Sequence, residues 1–459
     1  MDTNTSNARA MNKEQPLQGA DMAIQPAPRY GVEHAGYNEK KALDPFGDET
    51  NAVVKYKTMK WWQAAMLMIA ETIALGILAL PSVLAAIGIV PALILLIGLG
   101  IIAIYTGYTL GQFKLRYPHV HNMADAGEIL FGPIGRELLG AAQVIFFVFV
   151  LGAHILTASI MFNTLTGHAT CTIVWSVIAM LICLVLTLPR TLHKVSFLCV
   201  VSFISILGAV LITMIALGLS PLSPLVINAT HANAFFNAFL SVTNIIFAYG
   251  GHATFFPFMS EMRDPREYYK ALFVLQGIDI SLYVVVAVVI YRYAGNMVAS
   301  PALGSTSPLI QKIAYGIAIP TIFVAGIING HLASKYILIR IFRKRQELLH
   351  SRSWTILGAW GSICVTINVI AWIIAEAIPV FGNLLGIISA LFISWFTYGL
   401  GGVFWFHLNK GHWMVSKWNM MLTVVNIFII VMALAIMGLG LYASGKSIHD
   451  SPIGKPFSC

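Results

Sequence analysis

Eleven apolar segments, each long enough to cross a lipid bilayer as an α-helix, follow one another along this chain of 459 residues. The segments lie at roughly residues 61–84, 89–112, 137–165, 172–189, 195–219, 233–258, 270–291, 311–340, 355–377, 381–407 and 420–443. The chain is 58% hydrophobic and 10% charged, which is too little charge to cover the surface of a soluble protein. The sequence therefore predicts an all-α polytopic membrane protein with eleven transmembrane helices.

The first 60 residues differ in composition from the rest of the chain. They contain 8 basic and 8 acidic residues, together with many polar residues and Pro, and they include no apolar segment. Such a stretch cannot bury enough apolar surface to fold alone. We therefore divide the chain into a disordered N-terminal tail at 1–60, a transmembrane domain at 61–443 and a short C-terminal tail at 444–459.

The distribution of Lys and Arg among the predicted loops determines the orientation. If the N-terminal tail is cytoplasmic, Arg292, Lys312, Lys446 and Lys455 lie outside and the other basic loop residues lie inside. The positive-inside rule therefore predicts a cytoplasmic N-terminus and an extracellular C-terminus. We expect this multi-pass chain in the plasma membrane, with the vacuolar membrane as the alternative.

Two external features follow from this orientation. The sequon Asn228-Ala229-Thr230 falls in an external loop, which makes Asn228 a candidate for N-glycosylation. Cys171 and Cys459 both fall outside, and the sequence leaves open whether they form a disulfide. The cysteines have no CxxC spacing, so no metal site is predicted.

A carboxylate lies in the middle of the first apolar segment. Glu71 is about 15 Å along the predicted helix, near the centre of a hydrocarbon core about 30 Å thick. A carboxylate there costs roughly 2.5–3.5 kcal/mol on insertion scales, which indicates a functional site. Gly76 and Pro81 follow, and Pro81 cannot donate a backbone hydrogen bond. This pattern predicts that helix 1 breaks in mid-membrane.

The sixth apolar segment repeats the pattern, with Gly250 and Gly251 in mid-span and Pro257 further on. Helix 1 would run from inside to outside, whereas helix 6, five helices later, would run in the opposite direction. Matched interruptions in two oppositely oriented halves are typical of inverted-repeat transporters. The predicted architecture is therefore an inverted 5+5 repeat with broken helices 1 and 6, plus one extra helix.

The two interrupted segments resemble the signatures of a known family. The stretch GILALP at 76–81 resembles the first-helix signature of the amino acid/auxin permease family, part of the amino acid–polyamine–organocation superfamily. The stretch FAYGGH at 247–252, followed by Pro257 and by EMRDP at 261–265, resembles the sixth-helix signature. Where many relatives have Gly-x-Gly, this chain has ALG at 74–76, which implies a less open first break.

The leader resembles one branch of that family more closely. The stretches DPFGDE at 44–49, KYK at 55–57 and WW at 61–62 are similar to the fungal neutral amino-acid permeases of the methyltryptophan-resistance type. The resemblance covers about residues 44–443 and agrees with the eleven predicted helices. It implies a permease whose partners are the lipid bilayer and a neutral amino acid, either aliphatic or aromatic.

A zwitterionic amino acid needs separate partners for its carboxylate and its ammonium group. At a break in helix 1, backbone N–H groups from Ala74 to Ile77 can hold the carboxylate, and at a break in helix 6 carbonyl groups from Phe247 to Tyr249 can accept from the ammonium group. The resemblance implies the same division. The predicted substrate-binding residues are Thr72, Ala74, Leu75, Gly76, Ile77, Gln143, Phe147, Phe247, Ala248, Tyr249 and Gly250.

Coupling to an ion gradient requires a titratable group or an ion site within the membrane. Glu71 and His252 rank first because they adjoin the two predicted breaks, and Asp279, Asn329 and His331 are further candidates. A sodium site would use hydroxyl groups of the eighth predicted segment, at 311–340, where no Ser/Thr pair stands out. A proton is therefore the preferred coupling ion. No cofactor is expected.

Other classes of protein fit the sequence less well. It contains no HExxH, GxSxG or P-loop pattern, so we do not expect an enzyme. Its basic residues are scattered over short loops, which disfavours a nucleic-acid partner. The predicted function is a secondary active transporter that imports neutral amino acids by proton symport and alternating access. The alternatives are an amino-acid-sensing receptor with a transporter fold and a vacuolar amino-acid exporter.

Overall fold

The computed structural model describes residues 57–189, 195–342, 353–450 and 456–459. Most of the predicted N-terminal tail at 1–60 lies outside these ranges. Within them the chain forms helices joined by turns and loops, and no β-strand is found. The fold is therefore all-α, as predicted.

The helices give the following order along the described chain. They are α1 (Trp61–Ile87), α2 (Ile89–Arg116), α3 (Met123–Thr166), α4 (Thr172–Thr187), α5 (Val195–Leu219), α6 (Phe235–Ala248), α7 (His252–Glu261), α8 (Tyr268–Ala294), α9 (Pro308–Ile341), α10 (Trp354–Ala377), α11 (Phe381–Ile388), the π-helix Ser389–Gly399, α12 (Leu400–Leu408) and α13 (Lys417–Asp450). Short 3₁₀ turns occur at Pro265–Glu267, Gly295–Met297 and Ala302–Ser305.

Nine helices in the described ranges are long and apolar enough to cross a membrane, with Phe381–Leu408 taken as one. Two of the predicted segments are not among the nine. Helix α4, Thr172–Thr187, is shorter, and the predicted sixth segment is divided into α6 and α7. The count of eleven transmembrane helices therefore stays a prediction.

Helix α1 is continuous, so the mid-membrane break predicted in it is wrong for this structure. Gly76 lies inside the helix and allows α1 to approach the backbone of α6 closely. A Cβ atom at Gly76 would lie 2.6 Å from the Cα atom of Ala248. Pro81 also lies inside the helix. The glycine thus serves close helix packing, a common role in membrane helices.

The interruption predicted in helix 6 is confirmed. Helix α6 ends at Ala248, α7 begins at His252, and the chain turns at Tyr249, Gly250 and Gly251. Glycine disfavours a helix interior because of its conformational freedom. Ala248 and Tyr249 are fully buried, so the two half-helices meet inside the bundle.

Helix α1 lies at the centre of the bundle. In its most apolar stretch 89% of the residues are buried, against 33% for α2 and 28% for α13. It packs against α5, α6 and α8. A helix that is apolar on all sides is buried in protein or faces lipid. Helix α1 is of the first kind, whereas most residues in the apolar stretches of α2 and α13 are not buried inside the bundle.

Helix α3 begins well before the predicted segment at 137–165. Its first residue is Met123, and the Oδ1 atom of Asn122 caps the helix by accepting a hydrogen bond from the Asp125 N–H at 2.9 Å. Gly132 then interrupts the helical geometry with a φ of 69°. Hydropathy missed this first part because it contains charged residues.

Cys171 and Cys459 form a disulfide, the pairing that the sequence left open. It joins the loop between α3 and α4 to the last residue of the chain. Nearby, the N–H of Phe457 donates to the carbonyl oxygen of Glu376 at 3.3 Å, and its ring lies edge-on to Trp372. The end of the chain is therefore fastened across α4 and α10.

The residues before α1 are bonded to the end of α7. The Met59 N–H donates to the Glu261 carbonyl at 3.0 Å, and the Arg263 N–H donates to the Met59 carbonyl at 2.9 Å. The Arg263 side chain also donates to the carbonyl of Thr58 at 2.9 Å. A carboxylate oxygen of Glu261 lies 4.0 Å from the Lys335 ammonium of α9. These contacts join the start of α1 to α7 and α9.

Gly76→Ala tests the close packing of α1 on α6. Helix propensity favours alanine by about 1 kcal/mol, whereas pressing a methyl group against the Ala248 backbone costs about 1–3 kcal/mol. We therefore expect a lower thermal unfolding midpoint for this variant in detergent. Gly98→Ala is the matched control, because a Cβ there meets no atom within 4 Å. Equal midpoints for the two variants would contradict the packing role.

Candidate functional site

The backbone between α6 and α7 departs from the i→i−4 pattern of an α-helix. The Gly250 N–H donates to the Phe247 carbonyl at 3.0 Å, and the Gly251 N–H donates to the Tyr249 carbonyl at 3.0 Å. These are the carbonyl groups that the sequence predicts as acceptors for an ammonium group. Each carbonyl oxygen has two lone pairs, so a carbonyl oxygen with one partner can accept a second hydrogen bond.

Uncharged side chains connect this interruption to three neighbouring elements. The Tyr283 hydroxyl of α8 donates to the Ala248 carbonyl at 2.8 Å. The Thr397 hydroxyl of the π-helix lies 3.5 Å from the Tyr249 carbonyl oxygen, and the Tyr249 hydroxyl donates to the Leu96 carbonyl of α2 at 2.9 Å. The irregular backbone is thus held from several sides without a charged partner.

The two glycines of the interruption allow close contact on opposite sides. A Cβ at Gly250 would collide with the Ile393 side chain of the π-helix. A Cβ at Gly251 would lie 2.6 Å from the Cγ2 atom of Thr72 on α1. The interruption is therefore packed between α1 and the π-helix, and Thr72, a predicted binding residue, adjoins it.

Sequence reasoning missed the π-helix Ser389–Gly399. Such wide turns occur frequently at functional sites. Ser389 donates to the Leu385 carbonyl of α11 and Ser394 to the Ala390 carbonyl of the π-helix, whereas Thr397 reaches the interruption. Hydroxyl residues within an otherwise apolar segment were the available signal. It did not indicate which of them would face the bundle.

The predicted carboxylate cradle in α1 is not formed. Ala74, Leu75, Gly76 and Ile77 are buried in a continuous helix. Their N–H groups therefore take part in the hydrogen bonds of that helix. The direct contact of Gly76 with Ala248 places this stretch beside the interruption, but no backbone donor of α1 is available there in this conformation.

The residues predicted to line the side-chain pocket are buried, and one has a structural role. Gln143 of α3 donates to the Ala253 carbonyl of α7 at 2.9 Å and accepts from the Met123 N–H at 3.2 Å. It therefore links α3 to α7. Phe147 is buried in the core of the bundle, and Phe247, in the last turn of α6, is 8% exposed.

Glu71 and Asn329 are brought together between α1 and α9. The Nδ2 atom of Asn329 donates to Oε1 of Glu71 at 2.6 Å and also to the Ala325 carbonyl at 2.9 Å. Among the described residues, the second carboxylate oxygen, Oε2, is buried without a hydrogen-bond partner, and so is Oδ1 of Asn329. The two coupling candidates therefore form a pair in which each side chain has one oxygen atom without a partner in these ranges.

The other coupling candidates lie apart from that pair. Asp279 of α8 accepts from the Thr72 hydroxyl at 3.4 Å. The Nε2 atom of His252 lies 3.0 Å from the Ala103 carbonyl oxygen of α2, so the ring donates there and connects α7 to α2. The His331 ring lies edge-on to Trp360 of α10, at 5.3 Å between centroids.

The glycosylation candidate lies against the ends of the helices. Asn228 is half-buried. Its backbone N–H donates to the Tyr291 hydroxyl at 3.0 Å, and its carbonyl accepts from the Ile89 N–H at 3.1 Å. The loop that contains it crosses the junction of α1 and α2, where Thr230 packs on Gly88. Glycosylation at Asn228 stays a prediction.

The family model for transmembrane amino acid transporter proteins matches residues 57–445. The chain belongs to this family. The match includes α1 and both halves of the interrupted sixth helix, and it confirms the resemblance found in their signatures. The chain is thus a multi-pass membrane protein of an amino acid transporter family.

Relatives of known sequence agree with this assignment. An N amino acid transport system protein of Neurospora crassa is 35% identical, over 95% of this chain and 96% of the relative. A transmembrane transporter of Fusarium pseudograminearum is 28% identical, over 88% of each chain.

Two solved structures share the transporter fold. MhsT in complex with L-phenylalanine has a TM-score of 0.50 at 13% identity, over 83% of this chain and 98% of that one. A Na⁺-coupled sialic acid symporter has a TM-score of 0.50 at 12% identity, over 88% and 92%. At these identities the likeness concerns the fold alone.

Tyr283→Phe tests the support of the interruption. Removing the hydroxyl takes a donor from the buried Ala248 carbonyl, so we expect a loss of about 0.5–1.5 kcal/mol in stability, measured as a lower thermal unfolding midpoint. Tyr398→Phe is the matched control, since its hydroxyl is 3.5 Å from the Leu99 carbonyl oxygen and contributes less. An equal loss in both variants would argue against a particular role of Tyr283.

Proposed function

We propose that the chain is a secondary active transporter that imports neutral amino acids, aliphatic and aromatic, across the plasma membrane by alternating access. The interruption between α6 and α7 carries this proposal. Irregular backbone persists at membrane depth only where protein surrounds it or where it lines a cavity. In transporters, such interruptions bind substrate and coupling ions. The name of the Neurospora crassa relative supports amino acids as the substrate class.

The surroundings of the interruption support a neutral substrate. Its hydrogen-bonding partners in the described part of the chain, including Tyr283 and Thr397, carry no formal charge. A charged substrate side chain in a buried site would need an opposite charge to offset its lost hydration. The Ala248 carbonyl, which accepts from Tyr283, has a second lone pair that can accept from the ammonium group that every amino acid has.

Substrate binding would change α1 under this proposal. The substrate carboxylate would bind the backbone N–H groups between Ala74 and Ile77, which are engaged in the helix here. Gly76 weakens the helix by roughly 0.5–1 kcal/mol relative to alanine. Local unwinding at this point would release those donors and separate α1 from Ala248, so the binding site and the conformational change would form together.

A proton on Glu71 is the proposed coupling ion. One carboxylate oxygen accepts from Asn329, and the other is buried with no partner in the part of the chain that the structure describes. An ionised carboxylate is costly in such a place, and binding a proton removes the charge. Asn329 cannot neutralise it, because the amide is uncharged. The proton would therefore bind between α1 and α9, one residue before Thr72.

Two observations support the proposed orientation, with the N-terminus in the cytoplasm. Basic residues of the predicted loops are concentrated on the side where α1 begins. The disulfide between Cys171 and Cys459 adjoins the end of α3 and the start of α4, on the opposite side. Disulfides persist in oxidising compartments, which favours an external position for that side.

Uptake by the reconstituted full chain tests the function. We expect proteoliposomes to accumulate labelled phenylalanine and leucine but not arginine. An acidic exterior should stimulate uptake, and sodium should leave it unchanged. Arginine uptake as rapid as that of leucine would contradict neutral specificity. Binding of leucine without any flux would instead favour the sensing receptor.

Glu71→Gln tests the coupling site. The substitution keeps an oxygen that can accept from Asn329 but removes the titratable group. One coupled proton and a gradient of one pH unit support about tenfold accumulation, and we expect the variant to show none. Exchange of labelled for unlabelled leucine should continue, because it needs no net proton movement.

Glu376→Gln provides the matched control for Glu71→Gln. Glu376 is buried in α10 near the disulfide, far along the chain from the pair between α1 and α9. Proton-driven accumulation should persist in this control. If Glu71→Gln also accumulates leucine as the wild type does, Glu71 does not bind the coupling proton.

A further inference from the structure

A second buried carboxylate adjoins α1 on the side of α8. Asp279 has no exposed surface, and its Oδ2 atom has no hydrogen-bond partner among the described residues. Gln276, one turn earlier on α8, is 1% exposed, and in the same described ranges neither its side-chain oxygen nor its nitrogen has a partner. Buried polar groups are normally paired. Three unpaired polar atoms on one turn of a helix therefore indicate that something binds there.

Among the residues that the structure describes, the groups around Asp279 do not include a cation. Tyr283 on the same helix and Tyr249 from the interruption interact with it electrostatically. Helix α1 presents Thr72, whereas its carboxylate, Glu71, faces Asn329. An ionised Asp279 would thus be a buried charge with two tyrosine hydroxyls and a threonine hydroxyl nearby, a costly state.

In the described part of the chain, α2 and α5, the other long helices packed on α8, also place no cation beside Asp279. Helix α2 meets α8 through Gly100, against Ile280. The titratable residues of α2 lie further along that helix and are Tyr105, Tyr108, Lys114 and Arg116. The titratable residue of α5 is Cys199, which interacts with Glu71.

Asp279 is connected to the interruption by two contacts. Thr72 hydrogen-bonds to it and also packs against Gly251, on the α7 side of the interruption. Tyr283, one turn after Asp279 on the same face of α8, donates to the carbonyl of Ala248, on the α6 side. One face of α8 therefore reaches both ends of the interruption.

The Thr72 hydroxyl can respond to the charge of Asp279. It has one hydrogen, and the acceptors within reach include Oδ1 of Asp279 at 3.4 Å, the Met68 carbonyl at 3.0 Å and the Ile69 carbonyl at 3.3 Å. An ionised Asp279 attracts this hydrogen, because charge-assisted hydrogen bonds are stronger. A protonated Asp279 can donate to Thr72, which then donates to Met68.

We propose that Asp279, with Thr72 and Gln276, forms a second proton-binding site that controls the interruption between α6 and α7. Protonation reverses the hydrogen bond between Asp279 and Thr72 and so changes how Thr72 is held against Gly251. Gln276 supplies a further acceptor for a protonated carboxyl group. The inference rests on the proposed function, in which the interruption binds the substrate, and it makes that binding sensitive to a proton separate from that of Glu71.

Infrared spectroscopy of the purified full chain tests this site without requiring transport. Exposed Asp and Glu side chains are ionised at neutral pH, because their pKa values are about 3.9 and 4.3. A protonated-carboxyl band at neutral pH therefore reports buried acids. We expect Asp279→Asn to remove part of this band, and Glu71→Gln to leave that part in place. A band unchanged by Asp279→Asn would overturn the proposal.

Two substitutions at Thr72 test the connection to the interruption. Thr72→Val removes the hydroxyl but keeps the branched shape, and Thr72→Ser keeps the hydroxyl. We expect the ratio of leucine exchange rates at neutral and alkaline pH to fall toward one in Thr72→Val and in Asp279→Asn, and to stay at the wild-type value in Thr72→Ser. A wild-type ratio in Thr72→Val would overturn the connection.

The sodium dependence of exchange tests whether Asp279 binds a proton or a sodium ion. Sodium-stimulated exchange that Asp279→Asn abolishes would show a sodium site and overturn the assignment of a proton. If the proposed function is wrong, the wild-type chain exchanges no amino acid. This outcome differs from a failure of the Asp279 site, in which the wild type still exchanges amino acids. Without exchange by the wild type, the infrared band still decides whether Asp279 binds a proton.

Discussion

The backbone between α6 and α7 can remain irregular inside the bundle only because other groups satisfy its hydrogen bonds. An unpaired backbone group in lipid costs several kcal/mol. Here turn bonds within the interruption are supplemented by Tyr283 from α8 and Thr397 from the π-helix. The positions of these elements are thereby constrained, and the π-helix provides the local widening that directs Thr397 toward the interruption.

Helix α1 packs closely against the interruption between α6 and α7. Gly76 contacts the backbone of Ala248, and Thr72 contacts Gly251. Consecutive residues of an α-helix point about 100° apart, so Glu71 and Thr72 face different neighbours. Glu71 meets Asn329 of α9, and Thr72 meets Asp279 of α8. One turn of α1 thus connects two buried carboxylates to the interruption.

Much of this architecture is predictable from the sequence, because hydropathy and glycine position are local signals. The apolar segments, the break after Ala248 and the central place of Glu71 were all indicated by residue type and spacing. The continuity of α1 was not indicated in this way, because a glycine that breaks a helix and a glycine that packs against a neighbouring helix have the same local sequence. Gly76 packs against the neighbouring helix α6 here. Tyr283 and Thr397 were missed since their roles depend on tertiary contacts.

The continuous α1 has a consequence for the proposed transport cycle. Unwinding α1 without a substrate would leave backbone N–H groups between Ala74 and Ile77 unpaired, at about 1–3 kcal/mol for each buried group. A bound carboxylate would satisfy those groups and offset that cost. Movement of α1 away from Ala248 would then be favourable mainly when an amino acid is present. This conditional movement is what a coupled transporter requires, since the ion gradient is dissipated if the empty protein changes conformation freely with its proton bound.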